Sequence, residues 1–535
     1  MPFQLSNEPE LESQKENPIS YLEDRTRRLL AIFLFLCAFV YLHLTLFATL
    51  RVPFDLSYGD NGLGFTEAQR ILKGQVIYRD FFDILLPGVP YLDALLLKLF
   101  GARAWLPNAC LVSLGIGFLW ASFVISRRLL PGLSALLPGF LFLVFAFHKY
   151  LDPTHHLYSN LLITAAIAVI AARRSPARLA GAGALCGLAA IFSQAHGVFA
   201  ALALAVFVWW DATADRKEKR DILRAEGCYL APFFVILGAC ILYFAAEAGI
   251  GRFINLTIIF PCKFWNATYD PNSFSDYALA VVAQEFFYHP YHIPRPLIVG
   301  LLIPAVYILA IISYRRRDSR ASNGQWRQIM LLCAVGLSLF ASIVNSADIA
   351  RMSSIAMPAF IIAVWLIQRR KWTRGAIALA WMAVAIVMLR DIWFVRARAP
   401  VYVDTPAGRI ALNPIAGNSR AYYQWLASNT HPGDYVFDAT GHPGLYFLFG
   451  LRNPTGLWWL TSCNFTRPEQ VPGVLQGLKQ HQVPLILWSA GVDLKCGPNT
   501  DHIQPIREYL HRCYRQIGTF RDSFDSTASV WRRQS

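Results

Sequence analysis

The amino-acid sequence predicts a polytopic α-helical membrane protein with about eleven transmembrane helices and a C-terminal α/β domain. First, 55% of the 535 residues are hydrophobic and only 16% are charged, whereas soluble proteins contain about 25% charged residues. Second, long apolar runs recur up to residue 395, and most approach the ~20 residues that a bilayer core requires. Third, residues 396–535 have the composition of a soluble domain.

The N-terminal residues 1–28 are polar and end in Arg25, Arg27 and Arg28, which predicts a cytoplasmic tail. Residues 29–50 form the first apolar run. This run is longer than the apolar region of a secretory signal peptide, so we expect an uncleaved transmembrane helix.

Ten further apolar runs predict the other transmembrane helices. They lie at about 106–126, 129–147, 158–172, 179–193, 198–210, 228–249, 297–313, 329–344, 352–367 and 375–390. Basic clusters fall in alternate loops, at Arg127-Arg128, Arg173-Arg174, Arg216 to Arg220, Arg315 to Arg317 and Arg369 to Lys371. With the N-terminus inside, the positive-inside rule makes all of these loops cytoplasmic. The net charge of +15 therefore indicates topology and not nucleic-acid binding.

The loops on the opposite, outer side contain the unusual polar residues. The first loop, residues 51–104, carries a Gly-rich turn and two predicted surface helices, at 64–73 and 86–100. Because the number of predicted spans is odd, we expect the C-terminal domain on this side too, outside a bacterial inner (plasma) membrane. Its pattern predicts strands at 434–439, 483–488 and 528–531 and helices at 468–480 and 505–513.

Asp60 is the main candidate for a catalytic residue. It has Gly59 before it and Gly62 two positions after it, and glycines permit a tight backbone and close approach of a ligand. A carboxylate at the membrane surface can act as general base toward a hydroxyl group. The alternative is an aspartate that only stabilises a turn or a helix end.

Two other carboxylates of the first loop are candidates for substrate binding. Asp83 precedes the second predicted helix and would either position an acceptor or cap that helix. Asp80 follows Arg79 and would either contact substrate or form a plain ion pair. We expect Asp55 and Glu67 to be ordinary surface residues.

Cations and histidines on the outer side complete the candidate site. Arg351 and Lys263 are candidates for binding phosphate, because a guanidinium matches phosphate oxygens. The alternative for Arg351 is an ion pair with Asp348, three residues earlier. His155 lies in a His- and Asp-rich segment that would bind phosphate, sugar or a divalent metal, or would simply be a solvated loop. His196, at a predicted span end, is a further candidate for binding substrate.

The motif from Tyr58 through Asp60 and Asp83 to Tyr91 resembles the first outer loop of the GT-C glycosyltransferase superfamily. It is most similar to bacterial relatives of protein O-mannosyltransferases and of lipid A aminoarabinose transferases. The resemblance implies an inverting transfer of a sugar from a polyprenyl-phosphate donor to an acceptor hydroxyl, with Asp60 as base. The acceptor would be a glycan, a lipid or a protein. Asn61 stands where many relatives have a second acidic residue.

Two other functions fit the composition: a transporter or flippase of lipid-linked glycans, and a non-catalytic scaffold. Transporters usually place ionisable residues in mid-membrane, whereas these apolar runs contain almost no charge. The motifs require no cofactor and permit a divalent metal. Four cysteines outside the apolar runs would allow a disulfide, in a pairing that the sequence leaves open: Cys262, Cys463, Cys496 and Cys513.

Overall fold

The computed structural model of the protein describes most of the chain. The described residues are 18–56, 59–265, 278, 295–316, 322–344, 347–369, 373–397, 399–412, 419–461, 466–493, 501–521 and 527–534. Within these ranges, eight helices are long and apolar enough to cross a membrane, and three further apolar helices are shorter. The predicted class of multi-pass helical membrane protein is confirmed.

The helices of the membrane portion follow the predicted order. They are α1 (Pro18–Leu46), α2 (Gly59–Leu72), α3 (Gly88–Phe100), α4 (Leu106–Ser126), α5 (Leu137–Phe145), α6 (His155–Ala172), α7 (Pro176–Phe192), α8 (Gln194–Ala214), α9 (Lys219–Ala248), α10 (Ile250–Ile254), α11 (Arg295–Arg315), α12 (Asn323–Ile343), α13 (Ile349–Ser354), α14 (Met357–Gln368) and α15 (Thr373–Arg396). After α10 the chain continues in two π-helical stretches, Asn255–Ile259 and Pro261–Trp265.

One end of the bundle carries an ion-pair network among the predicted cytoplasmic residues. Arg174 contacts Asp211 at 2.8 Å, and Arg327 contacts Asp215 at 2.5 Å and Asp211 at 3.4 Å. These contacts bring the ends of α6, α8 and α12 to the same side of the bundle.

A buried polar cluster inside the bundle was not expected from the sequence. Asp391 of α15 pairs with Arg295 of α11 and accepts a hydrogen bond from the Tyr41 hydroxyl at 2.8 Å. The predicted spans 297–313 and 375–390 stop short of this ion pair. Both helices extend beyond their apolar runs because the two charges neutralise each other. The Arg295 Nε also donates a hydrogen bond to the Val144 carbonyl.

The first loop contains two helices, but the first of them starts earlier than predicted. It begins at Gly59 and not at residue 64, so that Asp60 lies in its first turn. A carboxylate there is stabilised by the positive end of the helix dipole. Gly64 permits close packing on α3, since a Cβ at this position would lie 2.5 Å from the Asp93 carboxylate.

The C-terminal α/β domain, which we call the outer domain after its predicted position, begins after α15. Its elements are β1 (Val401–Thr405), β2 (Gly408–Leu412), α16 (Arg420–Asn429), β3 (Val436–Ala439), α17 (Gly444–Phe449), α18 (Val471–Gln480), β4 (Leu485–Ser489), α19 (Gln504–Cys513), β5 (Tyr514–Arg521) and β6 (Thr527–Arg533). A mixed sheet has the order β3-β4-β6-β5, in which only β3 and β4 are parallel. The hairpin β1–β2 is separate and antiparallel.

The outer domain lies directly on the first loop, so both occupy one face of the bundle. The Thr66 hydroxyl of α2 donates to the Pro443 carbonyl at 2.7 Å, and the Phe82 amide donates to the Gly456 carbonyl at 2.8 Å. A common hydrophobic core joins the two parts; we call it the shared core. Its members include Phe82, Phe244 and Phe260 from the membrane portion and Phe437, Val474 and Trp488 from the outer domain.

This packing corrects the expectation that Asp55 and Glu67 are surface residues. Both are buried, and Asp55 accepts a hydrogen bond from the Tyr423 hydroxyl at 2.8 Å. The sequence cannot show this, because the residues that cover the loop come from the outer domain more than 300 positions later. Among the cysteines, Cys262 and Cys513 are free thiols, and Cys463 and Cys496 lie outside the described residues.

Candidate functional site

Asp60 lies at the N-terminal end of α2 and remains accessible to solvent. The protein that surrounds it on several sides nevertheless removes part of its hydration and raises the pKa of its carboxyl group. The positive charge of Arg351 opposes this rise, and the negative charge of Asp348 adds to it. Asp60 is therefore an accessible carboxylate with a cation close enough to affect its titration.

Arg351 and Asp348 are brought to Asp60 by the short helix α13. Asp348 is the N-cap of this helix, and its Oδ1 accepts a hydrogen bond from the Arg351 amide at 2.7 Å. Its other oxygen lies 3.0 Å from the Arg351 guanidinium. The ion pair with Asp348, which the spacing gives as the alternative for Arg351, is thus present.

Three histidines at the ends of α6 and α8 form the next part of the site. The rings of His155 and His156 lie 4.0 Å apart, and those of His156 and His196 lie 4.9 Å apart. His196 is buried, and its Nδ1 is 3.0 Å from the Ser159 hydroxyl. The Asn160 amide nitrogen donates to the Ser354 hydroxyl of α13 at 3.2 Å, which ties the histidines to the helix of Arg351.

Asp83 is 4% exposed and lies close enough to Asp60 for their charges to interact. Its Oδ1 accepts hydrogen bonds from the Ile84 and Leu85 amides at 2.6 and 3.0 Å. Burial, with a smaller contribution from the charge of Asp60, raises the pKa of Asp83 to about 7 against the effect of these two hydrogen bonds. This carboxyl group therefore takes up or releases a proton near neutral pH.

Glu67 is a member of this region that sequence reasoning missed. It is 3% exposed, and burial together with the charges of Asp83, Asp93 and Asp60 raises its pKa, against the effect of Arg70. Residues seven apart lie on the same face of a helix, so the spacing from Asp60 was the available signal. The sequence does not indicate that the outer domain buries this side of the helix at Glu67.

Two of the predicted site residues lie apart from Asp60. The Asp80 carboxylate is 3.0 Å from Arg79 and accepts a hydrogen bond from the Val76 amide at 2.7 Å, and these contacts lower its pKa, the Arg79 hydrogen bond most of all. Lys263 is exposed in the second π-helical stretch. Both residues line a separate cleft of about 660 Å³ between the first loop, residues 252–264 and the outer domain.

Metal-ligating groups do not converge at one point in the part of the chain that the structure describes. No group of three or more His, Cys, Asp or Glu side chains there has the geometry of a metal site. What the arrangement provides is an accessible carboxylate, a nearby guanidinium and a set of imidazole rings. Such groups can accept a proton from a hydroxyl and stabilise negative charge on a leaving group.

The class of the protein follows from its architecture. It is a multi-pass membrane protein whose polar site lies at one end of the helix bundle, below an α/β domain, and the first loop contributes two helices to that site. No protein-family model and no curated protein sequence matches the chain.

Comparison with solved structures identifies the fold. The chain is similar to ArnT from Cupriavidus metallidurans bound to undecaprenyl phosphate, with 12% sequence identity, 93% of this chain and 97% of that chain covered, and a TM-score of 0.58. A second similar structure is the oligosaccharyltransferase of Archaeoglobus fulgidus in complex with zinc and sulfate, at 13% identity, 85% and 67% coverage and a TM-score of 0.48. The chain thus has the GT-C fold that its first loop resembles.

Proposed function

We propose that the protein transfers a sugar from a polyprenyl-phosphate donor to an acceptor hydroxyl, on the outer face of a bacterial inner membrane. The observation that carries this proposal is the pairing of an accessible Asp60, whose pKa is raised by its surroundings, with the charge of Arg351. The GT-C fold supports it, and so does the solved ArnT structure, which contains undecaprenyl phosphate.

In the proposed mechanism Asp60 accepts the proton of the acceptor hydroxyl. The acceptor oxygen then attacks the anomeric carbon from the side opposite the phosphate, and the configuration at that carbon is inverted. The bond between this carbon and the phosphate oxygen breaks, and its electron pair leaves with the polyprenyl phosphate. Arg351 stabilises the charge that develops on this leaving group.

The two roles support each other electrostatically. In the free enzyme Arg351 faces the negative charges of Asp348 and Asp60. When Asp60 takes up the acceptor proton it becomes neutral, and Arg351 then faces one negative charge fewer. Its attraction for the leaving phosphate therefore increases as that phosphate gains charge. His155 would contact the sugar or the acceptor, whereas the buried His196 and Asp83 would position the groups around them.

The test compares lipids that co-purify with the wild type, Asp60→Asn and Asp404→Asn by mass spectrometry. We expect a polyprenyl-phosphate sugar to accumulate on Asp60→Asn, because the donor binds but cannot react. Asp404 is an exposed strand residue paired with Arg409, so Asp404→Asn should match the wild type.

Two results would contradict the proposal. Equal amounts of the same lipid-linked sugar on all three proteins would show that Asp60 is not the catalytic base. Absence of any isoprenoid lipid from all three would argue against a lipid-linked donor and would favour a scaffold.

A further inference from the structure

The strand β5 forms one edge of the mixed sheet in the outer domain. The strand order is β3-β4-β6-β5, so β6 is the only strand that pairs with β5 in the part of the chain that the structure describes. Residues 515–517, 519 and 521 of β5 are exposed. An edge strand offers every second N–H and C=O group of its backbone to a further strand. This edge is therefore open to pairing from the side away from β6.

Two arginines lie directly opposite each other near the start of this edge. Arg515 of β5 and Arg532 of β6 are cross-strand partners, and both are exposed. Like charges in this arrangement destabilise a sheet. Among the described residues, the ion pairs of the outer domain join other side chains: Asp404 with Arg409, His431 with Asp434 and Asp501 with Arg507. The charge of the two arginines is thus not balanced within the described structure.

Protection of the edge explains only one of the two arginines. A charge on an edge strand can serve simply to prevent two sheets from joining, and this accounts for Arg515. It does not account for Arg532, because β6 is an interior strand with β4 on one side and β5 on the other. An unfavourable pair at an exposed position is the kind of local conflict that is expected at a functional surface.

An exposed apolar side chain lies beside the arginines. Ile517 is 42% exposed, and among the described residues of the outer domain only one other large hydrophobic side chain, Tyr402, is comparably exposed, at 40%. Ile517 lies at a β-bulge, since the register with β6 shifts between Gln516 and Gly518. A bulge leaves its extra residue unpaired and changes the direction of its side chain. The edge therefore combines backbone hydrogen-bonding groups, positive charge and an apolar contact.

From these observations we propose that β5 is a docking site for an extended segment of another protein, and that this segment carries acidic residues. The segment would pair with β5 as a further strand of the sheet, with a carboxylate beside Arg515 and Arg532 and an apolar side chain beside Ile517. A protein fits this edge best, because another backbone matches the spacing of its N–H and C=O groups. The inference does not depend on the proposed transfer reaction.

A second copy of the chain fits this edge poorly. Two β5 strands that paired in antiparallel fashion about Gly518 would place Arg515 of one copy opposite Arg521 of the other. Such like-charge pairs are unfavourable, whereas the same arginines attract a strand with carboxylates at these positions. The charges of β5 therefore discriminate against the chain itself and in favour of an acidic partner.

The test measures binding of labelled peptides to the purified full-length protein in detergent by fluorescence anisotropy. The acidic probe is a peptide as long as β5, of alternating glutamate and valine, and its matched control has lysine in place of glutamate. Two further acidic peptides carry N-methyl groups on alternate residues, one on the odd and one on the even positions. Dextran sulfate serves as an anionic probe without a peptide backbone. The variants are Arg515→Gln, Arg532→Gln, both together, Ile517→Ala and the control Arg420→Gln, in an exposed arginine of α16.

We expect the acidic peptide to bind and the lysine peptide not to bind. Each single arginine substitution should weaken binding by about three- to fivefold, as loss of an exposed ion pair does, and the double substitution should weaken it further. Ile517→Ala should weaken binding by about fivefold through lost apolar contact, and Arg420→Gln should match the wild type. The thermal midpoint of Arg532→Gln should equal or slightly exceed that of the wild type, because the opposed charges are removed.

The N-methylated peptides test backbone pairing directly. In an added strand only alternate N–H groups face β5, so one methylation pattern should abolish binding and the other should have little effect. A shift of the peptide by one residue cannot compensate, since it moves every glutamate to the opposite face of the sheet.

Four results would overturn the inference. Equal binding of the two methylated peptides would exclude an added strand, and unchanged binding to the double arginine variant would exclude this edge. Affinity for dextran sulfate that equals that for the peptide, and that is lost in the double variant, would assign the arginines to an anionic polysaccharide. A wild-type dimer in light scattering that Ile517→Ala abolishes would assign the edge to a second copy. Asp60→Asn should bind the acidic peptide like the wild type, so a failure of the proposed reaction remains a separate result.

Discussion

At the scale of single residues, the site depends on carboxyl groups that the protein keeps away from water. Asp83 shows this most directly, because burial raises its pKa to about 7. The unfolded chain loses this proton near pH ~4. The stability that Asp83 contributes is therefore complete below that pH and is lost as the pH rises toward 7.

We predict that Asp83→Asn becomes more stable relative to the wild type as the pH rises. The asparagine oxygen can still accept the hydrogen bonds of the Ile84 and Leu85 amides, and it carries no charge to bury. Between about pH 5 and pH 7 the difference in unfolding free energy should increase by about 2 kcal/mol. Thermal midpoints in detergent across this range measure it.

Asp404→Asn provides the control with the opposite sign. The hydrogen bond from Arg409 lowers the pKa of Asp404, so its contribution is present at neutral pH and lost in acid. This variant should gain no relative stability as the pH rises. A difference for Asp83→Asn that does not change with pH would mean that Asp83 is ionised throughout.

The sequence pointed to most of the residues that surround Asp60, but not to their burial. Asp83, Arg351, His155 and His196 were predicted separately from their loops, and the structure brings each of them into the neighbourhood of Asp60 or Arg351. Their roles remain predictions. The positive-inside rule places these residues on one side of the membrane. They are thereby restricted to a thin layer, so some of them are expected to lie close together.

The rule does not give positions within that layer. Lys263 and Asp80 line the separate cleft of about 660 Å³ and not the Asp60 site. Glu67 was missed because the residues that bury it belong to the outer domain.

At the scale of secondary-structure elements, apolar length predicted the spans well, whereas elements held by distant contacts were missed. The hairpin β1–β2 is one such element: the Ala411 amide donates to the Pro53 carbonyl, and the Asp55 amide donates to the Ala411 carbonyl, both at 2.9 Å. This pairing joins the hairpin to the start of the first loop. No local pattern in either segment indicates it.

The close contact between α7 and α9 depends on a glycine of α7. A Cβ at Gly183 would lie 1.8 Å from the Tyr229 carbonyl oxygen, whereas one at Gly181 of the same helix would have no atom within 4 Å. We predict that Gly183→Ala separates the helices and lowers stability by at least about 1–3 kcal/mol. Gly181→Ala should be neutral or slightly stabilising.

The thermal midpoint and the monodispersity of the two purified variants provide the measurement. The pair isolates the contact, because both substitutions add one methyl group to the same helix. Equal midpoints would show that α7 and α9 can move apart without loss of stability.

At the scale of the whole molecule, the outer domain and the membrane portion are joined through the shared core. Phe82 and Phe260 pack with ring centres 5.0 Å apart, and Phe437 of β3 belongs to the same cluster. A domain connected only by a linker would unfold independently. Here, exposure of the outer core also exposes apolar residues of the first loop and of the segment after α9, so the two parts should unfold together.

Two native cysteines can report on this coupling, since both pack against the shared core. Cys240 lies in α9 of the membrane portion, and Cys513 lies in α19 of the outer domain. We predict that Phe437→Ala, which removes about 3–5 kcal/mol of packing from β3, increases maleimide labelling of both cysteines at the same temperature. Labelling is measured on each peptide by mass spectrometry during heating. Ile517→Ala, on the exposed face of β5, is the control and should leave both profiles unchanged.

If Phe437→Ala increases labelling of Cys513 alone, the outer domain unfolds by itself, and the shared core does not hold the first loop in place. If labelling of both rises together, the outer domain is part of the structure that positions α2, and therefore Asp60, in the site.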